Sequence, residues 1–337
     1  MSEVMLKVEN LTKVFLSKGA ELKAVNELSF EVNKGETIGI VGESGCGKST
    51  LGRCIVNSIR ATSGDILYKS SENIEYNIAQ IDKKSLKKVR KEIQLIFQDP
   101  YSSLNPRMSV YDIISEPLKV NYKLPKREVE KRVKAIAEKV GLNPSYLKRY
   151  PHAFSGGQRQ RIGIARALIF EPELIVCDEA VSALDVSVQA QVVNLLKDLQ
   201  NELGLTYLFI SHDLSVVEYI ADKIGVMYLG KLVEYAPTDA LFEKPLHPYT
   251  EALLLAVPIA DPTIKSLHIP LEGEIPNPVD PPTGCFFHTR CKYCIEKCKA
   301  EDVTLIENKN GRSVACHRAD ELELKGIIQS GEAHQEG

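Results

Sequence analysis

The nonapeptide GESGCGKST at residues 42–50 restricts this chain to few architectures. Such a loop has to be delivered by a strand and left through a helix, so that its backbone amides and the positive helix terminus converge on one anion. The preceding TIGIVG is a short apolar run, and a helical pattern follows Thr50. In this frame Gly42, Ser44, Gly45 and Gly47 curl the backbone around a phosphate, and Thr50 closes the loop into the helix. Lys48 offsets the β- and γ-phosphate charge, and Ser49 is a Mg²⁺ ligand. The flanking strand and helix argue against a plain tight turn. The loop therefore predicts a nucleoside triphosphate site.

Two further apolar runs, LIVCD (174–178) and LTYLFISH (205–212), read as strands buried on both faces of a parallel sheet. Between them SVQAQVVNLLKDLQNELG predicts a helix, with Ser187 as N-cap, Gly204 as the residue after its end, and Val188, Val192, Leu195, Leu199 and Leu203 on one stripe. LKVENLTKVF, ELSFEV and GDILYK read as antiparallel strands. Residues 100–170 carry little β signal. There, Val129, Val133, Ile136 and Val140 lie on one face of a helix that stops at Gly141.

Several functional side chains fall at strand ends. Asp178 closes LIVCD and suits the Mg²⁺ shell, while Glu179 beside it suits the orientation or deprotonation of a water. His212 ends the next buried run, within reach of a γ-phosphate, and Gln98 in LIFQDP could bond Mg²⁺ or the water. A second phosphate-type helix start, FSGGQRQRIGIARAL (154–168), has no lysine beside its glycines, which leaves open whose phosphate it would hold.

The chain has 337 residues and a net charge of −3, so it exposes no general nucleic-acid-binding surface, and the basic block DKKSLKKVRKE reads as a solvated helix face. The first fifteen residues lack the apolar core of a signal peptide, and no apolar run is long enough to span a bilayer. The expectation is a cytosolic protein that meets membranes through partners. Of eight cysteines, Cys46, Cys54 and Cys177 are scattered, whereas Cys285, Cys291, Cys294, Cys298 and Cys316 crowd together with His288 and His317. Thiolates at that density point to a metal. The residues alone leave zinc and an iron–sulfur cluster both open. Frequent prolines after Leu241 mark a linker, and residues 325–337 are expected to be disordered.

Taken in order, these motifs resemble the ATP-binding subunits of ABC transporters over residues 6–240: P-loop, Q-loop Gln98, signature SGGQR, Walker B LIVCDE, D-loop SALD with Asp185, and H-loop His212. The resemblance implies an α/β P-loop NTPase (RecA-like) core with an antiparallel β subdomain and an α-helical insert at about 100–170, followed by a small Cys-rich module at 241–324. It implies that Phe15 stacks on adenine. It also answers the open question: two ATPase domains pack head to tail, and Ser155, Gly156, Gly157 and Gln158 cap the γ-phosphate of ATP bound to the partner's P-loop. Lys48, Glu179 and His212 are then the catalytic residues, with Mg²⁺ held through Ser49, Gln98 and Asp178.

FEKPLHPYTEALLLAVP followed by GCFFHTRC and VACH further resembles the C-terminal extension of dipeptide and oligopeptide importer ATPases. That resemblance implies a [4Fe–4S] cluster on Cys285, Cys291, Cys298 and Cys316, with Cys294 as an additional cysteine that could replace one of them, and zinc as the alternative. It implies peptide uptake, with sugar or nickel import as variants. The partners would be a second ATPase subunit (non-identical more often than identical), two membrane permeases and an external solute-binding protein, on the cytoplasmic face of the membrane. QDPYSSLNPRMSV and GESGCGKSTLGRCI look like the second, F-type, subunit of such a pair. A soluble ABC ATPase of translation or DNA repair, or an iron–sulfur redox protein gated by ATP, are the competing readings.

Overall fold

The computed structural model describes residues 3–17, 19–256, 273–308 and 311–327. The proline-rich stretch at 257–272 and most of the tail lie outside them. The chain opens with a long hairpin, β1 (Val4–Ser17) and β2 (Ala20–Asn33), followed by β3 (Thr37–Val41) and α1 (Lys48–Ile55). Next come β4 (Ser63–Lys69), β5 (Glu75–Asn77), α2 (Lys83–Glu92) and β6 (Ile93–Ile96). A strand-free insert holds α3 (Val110–Asn121), α4 (Lys126–Lys139) and α5 (Gly156–Leu168). The core resumes with β7 (Leu174–Asp178), α6 (Val186–Leu203), β8 (Thr206–Ile210), α7 (Leu214–Ile220), β9 (Lys223–Tyr228) and β10 (Lys231–Pro237). The final elements are α8 (Thr238–Glu243), α9 (Pro248–Leu255), α10 (Glu296–Ala300), β11 (Ile306–Glu307) and β12 (Ser313–Val314).

Two sheets result. One is antiparallel, in the order β2-β1-β4-β5, and the other runs β11-β12-β10-β9-β3-β8-β7-β6, with β9, β3, β8, β7 and β6 parallel. Every residue of β3, β7 and β8 is buried. Along β7, Leu174 and Val176 face the layer shared with the antiparallel sheet, while Ile175 and Cys177 face the layer shared with the helical insert. A strand packed on both sides has no position for a polar residue, which is why these runs lack alternation.

The insert helix at Lys126–Lys139 buries Val129, Val133 and Ile136, and Val140 and Gly141 (φ 70°) end it as expected. The basic α2 buries only Val89, consistent with a solvated face. One local expectation fails at α6 and another holds in part. Its N-cap is Asp185, whose Oδ1 accepts from Val188 N at 3.0 Å, and not Ser187. A carboxylate two residues earlier claims the free amides first and also binds the Ser187 hydroxyl at 2.9 Å. The helix buries Val192, Val193, Leu196 and Leu199 and packs Val188 and Leu195 partly against the same core, so the inner face is wider than the predicted stripe, which loses only Leu203 at the exposed end. Gly204 closes it in the left-handed conformation, as expected.

Candidate nucleotide site and cysteine pocket

The register of the parallel strands builds the site. Ile40 pairs with Ile210, and Ile210 pairs with Asp178, so the ends of β3, β8 and β7 stand level, with β6 next to β7. The P-loop, His212, Asp178, Glu179 and Gln98 therefore share one sheet edge, where ligands gather in parallel α/β sheets. At Gly47 (φ 107°) a Cβ would run into the Ala24 carbonyl of β2, and at Gly42 (φ 148°) into the Met227 carbonyl, so the loop's path admits only glycine there. Gly45 (φ 81°) has open space. Gly47 caps α1 without a side chain, leaving the amides of Lys48, Ser49 and Thr50 to a ligand. Lys48 is buried and donates to the carbonyls of Gly42 at 2.7 Å and Glu43 at 3.0 Å. Phe15 lies opposite Leu22 on the hairpin, with the Lys13 ammonium 5.0 Å from its ring centroid.

Asp178 is 2% exposed, and its Oδ1 has no hydrogen-bond partner within the protein. Burial pushes its carboxyl above the usual carboxylate range, opposed by the Ser49 hydroxyl and by Arg53 and Lys48. A buried, unsatisfied carboxylate oxygen beside Ser49 fits a divalent cation, so the residues present suit Mg²⁺. Glu179 takes a left-handed backbone (φ 48°), a conformation that L-residues hold only where the surroundings impose it. Its N–H donates to the Ile210 carbonyl at 2.9 Å. Gln98 Nε2 donates to Glu179 Oε2 at 2.8 Å, and His212 Nδ1 lies 3.3 Å from the same oxygen. The sequence reading set Gln98 and His212 toward metal, water and phosphate; in the structure both converge on Glu179 and leave its Oε1 for another partner.

The SGGQ segment stands apart. Ser155 and Gln158 form a reciprocal capping box at 3.4 and 3.2 Å, both side chains are exposed, and the Ser155 hydroxyl proton stays available to donate. Gly157 is buried, with Val188 of α6 where its Cβ would be, so packing alone already demands glycine at that position. A Cβ at Gly156 would meet the end of the Leu184 side chain at 3.3 Å, a tight contact that a shift of a few tenths of an ångström relieves.

Toward the C-terminus, Cys285, Cys291, Cys298 and Cys316 line one cavity of about 320 Å³ counted out to its mouth, together with His247, Phe287, His288 and His317. Cys294 is not among its walls. Cys285 N–H donates to the Cys298 carbonyl at 2.8 Å, tying the first and third cysteines together. Burial pushes the thiol of Cys285 to about 11 and that of Cys291 to about 12, and raises that of Cys316. These groups stay protonated unless a positive centre draws out their protons. Among the described residues, no three His, Cys, Asp or Glu side chains converge tightly enough to grip a single ion. His247 is wholly buried, and its Nδ1 accepts from Tyr249 N at 3.0 Å, so Nε2 carries the ring proton.

One linkage had no sequence signal. Glu43, inside the P-loop, is held by Arg290, one residue before Cys291, with Nη1 to Oε2 at 2.7 Å and Nη2 to Oε1 at 3.1 Å. A charged residue in a loop that binds anions calls for a counter-charge, but nothing in the sequence tells that it lies 247 residues on.

Fold and site together define an ATPase of the ATP-binding-cassette class. The "ABC transporter" family model matches residues 25–182, and that for the "Oligopeptide/dipeptide transporter, C-terminal region" matches residues 233–298. The chain is 52% identical to the oligopeptide transport ATP-binding protein AppF of Bacillus subtilis, over 90% of this chain and 92% of the relative. It is 51% identical to OppF of Escherichia coli, over 89% of each. Among solved structures, the ATP-binding cassette MJ0796, in a dimeric post-hydrolysis state bound to ADP and phosphate, matches with TM-score 0.62 at 28% identity, over 69% of this chain and 99% of that one. CbiO1 of Clostridium perfringens, part of an ABC transporter complex, matches at 0.62 and 30%, over 71% and 91%. The chain belongs to the oligopeptide and dipeptide transport ATP-binding proteins. Among the described residues no helix is long and apolar enough to cross a membrane.

Proposed function

We propose that this chain powers peptide uptake as the ATP-hydrolysing subunit of an ABC importer, with residues 1–240 as ATPase domain and 241–324 as C-terminal extension. The observation that carries the chemistry is the convergence of Gln98 and His212 on one oxygen of Glu179, at the edge where the P-loop ends β3. Glu179 acts as base or orienting group for the attacking water through its other oxygen. Lys48 exchanges its two loop carbonyls for the β- and γ-phosphates. His212 holds the γ-phosphate and the water, and Gln98 reports the state of the γ-phosphate to the insert that follows it. Asp178, Ser49 and Gln98 would hold Mg²⁺, which when bound offsets charge on the bridging phosphate oxygens. Phe15 stacks on adenine.

Each ATP is completed by the Ser155–Gln158 helix start of a second ATPase, most simply the D-type sibling of this F-type chain, and Asp185 lies at that junction. The exposed Ser155, whose hydroxyl oxygen accepts from Gln158 N while its proton stays free to donate, supports this reading. Two permeases on the membrane's cytoplasmic face and an external binding protein complete the importer. The four pocket cysteines would hold a [4Fe–4S] cluster as a structural staple, with Cys294 outside the ligand set.

The test is reconstitution with the permeases and binding protein in proteoliposomes. Peptide should stimulate ATP turnover and accumulate inside the vesicles; turnover indifferent to peptide, with no accumulation, would overturn the importer reading.

A further inference from the structure

We infer that Arg290 is a positioning residue for the nucleotide loop, so that the cysteine-rich segment sets the enzyme's affinity for ATP. Glu43 is gripped at three points. Its carboxylate accepts both Arg290 donors, its N–H donates to the Tyr249 hydroxyl at 2.8 Å, and its carbonyl accepts from Lys48 at 3.0 Å. Two of the three grips come from beyond residue 247, outside the ATPase motifs.

The grips rest on a rigid base. Tyr249 packs on Tyr228 at 4.7 Å and on Phe287 at 5.3 Å between ring centroids, and Tyr228 meets Phe287 edge-on at 5.3 Å. Tyr228 ends β9, the strand paired with β3, and Phe287 is a wall of the cysteine pocket. The Arg290 side chain is 4% exposed and that of Glu43 23%, so the pair is partly shielded from water, and its charge-assisted fork fixes geometry. Glu43 lies directly after Gly42, where the chain turns from strand into phosphate cradle. Fixing that turn in advance removes an ordering cost that ATP would otherwise meet on binding.

This inference rests on residues 42–50 being the nucleotide loop. The test uses the full-length chain, with ATP hydrolysis measured against MgATP concentration and direct titration with a fluorescent ATP analogue. Arg290→Gln should raise KM and the analogue's Kd about tenfold, while kcat at saturation stays within about twofold. Glu43→Gln should raise both to a similar degree, and the double variant should be no worse than either single one. Arg290→Lys should recover part of the affinity by restoring the charge without the fork. KM and Kd within twofold of wild type in Arg290→Gln, or fully additive losses in the double variant, would overturn the inference. If Arg290→Gln does not fold, Glu43→Gln alone decides by the same limits. Lys48→Ala separates the two levels: undiminished binding there removes the nucleotide-loop reading itself, whereas lost binding there with an unaltered Arg290→Gln removes only the role of Arg290.

Discussion

Replacing Glu179 with glutamine isolates the proposed chemical step from binding. Both structural contacts to this side chain fall on Oε2, from Gln98 at 2.8 Å and His212 at 3.3 Å. A glutamine carbonyl oxygen in the same place keeps both. The other terminal atom then becomes an amide nitrogen, which cannot accept a proton from water. The left-handed backbone at 179 (φ 48°) is equally strained for either residue, so folding stability should not change. Loss of a positioned general base lowers turnover by about 10²–10⁴-fold, which corresponds to roughly 2.7–5.5 kcal/mol of barrier. Phosphate release at saturating MgATP should show that loss with the binding constant for ATP unchanged. Light scattering should find an ATP-dependent dimer that persists because turnover no longer dissolves it. Turnover within threefold of wild type would refute the assignment, as would an equal loss traced to a lowered melting temperature.

Three further outcomes are expected. Asp178 has a folded-state carboxyl raised by burial, so its ionisation costs stability above the ordinary carboxylate range, and the cost is relieved as pH falls through the raised value. In metal-free protein, Asp178→Asn should therefore raise the melting temperature by roughly 1–3 °C at pH 8, with the gain shrinking as pH falls toward the ordinary carboxylate range, while MgATP no longer stabilises the variant; a lower melting temperature at pH 8 would contradict this. Gly157→Ala drives a methyl group into Val188 and should cost about 1–3 kcal/mol in denaturant unfolding, restored in large part by adding Val188→Ala, whereas Gly156→Ala should fold normally. Serine at Cys285, Cys291, Cys298 or Cys316 should abolish bound iron and acid-labile sulfide in anaerobically prepared protein, and Cys294→Ser should retain both; zinc alone in the wild type would overturn the cluster assignment.

The parallel core was legible because LIVCD and TIGIVG are buried on both faces, so hydrophobicity alone marks them. The P-loop, Gln98, Asp178, Glu179 and His212 were legible because each sits within two residues of a strand end, whereas SGGQ lies in the strand-free insert and was legible only as a helix start. Local competition was less so. At the start of α6 both Asp185 and Ser187 can cap, and only the backbone's path decides that Asp185 reaches the amides. The width of its buried face follows from which neighbours arrive, and Val193 and Leu196 are covered in addition to the predicted stripe. The grip of Arg290 on Glu43 and the exclusion of Cys294 from the pocket depend on chain paths hundreds of residues and a few residues long, respectively, and spacing encodes neither.

The pairing of β12 with β10 carries a consequence for how the polypeptide is made. Glu234 on β10 is fully buried, and its carboxylate is matched by the amides of Leu246 and His247 and by Arg312, just before β12. Until the ribosome has released residue 314, that strand presents bare amides and carbonyls, with a carboxylate short of its cation. A product terminated early, or nicked upstream of Arg312, would offer a sticky border to any passing strand and become a substrate for proteolytic clearance. The core sheet is thus sealed at this edge by a segment that lies nearly eighty residues beyond the strand it covers.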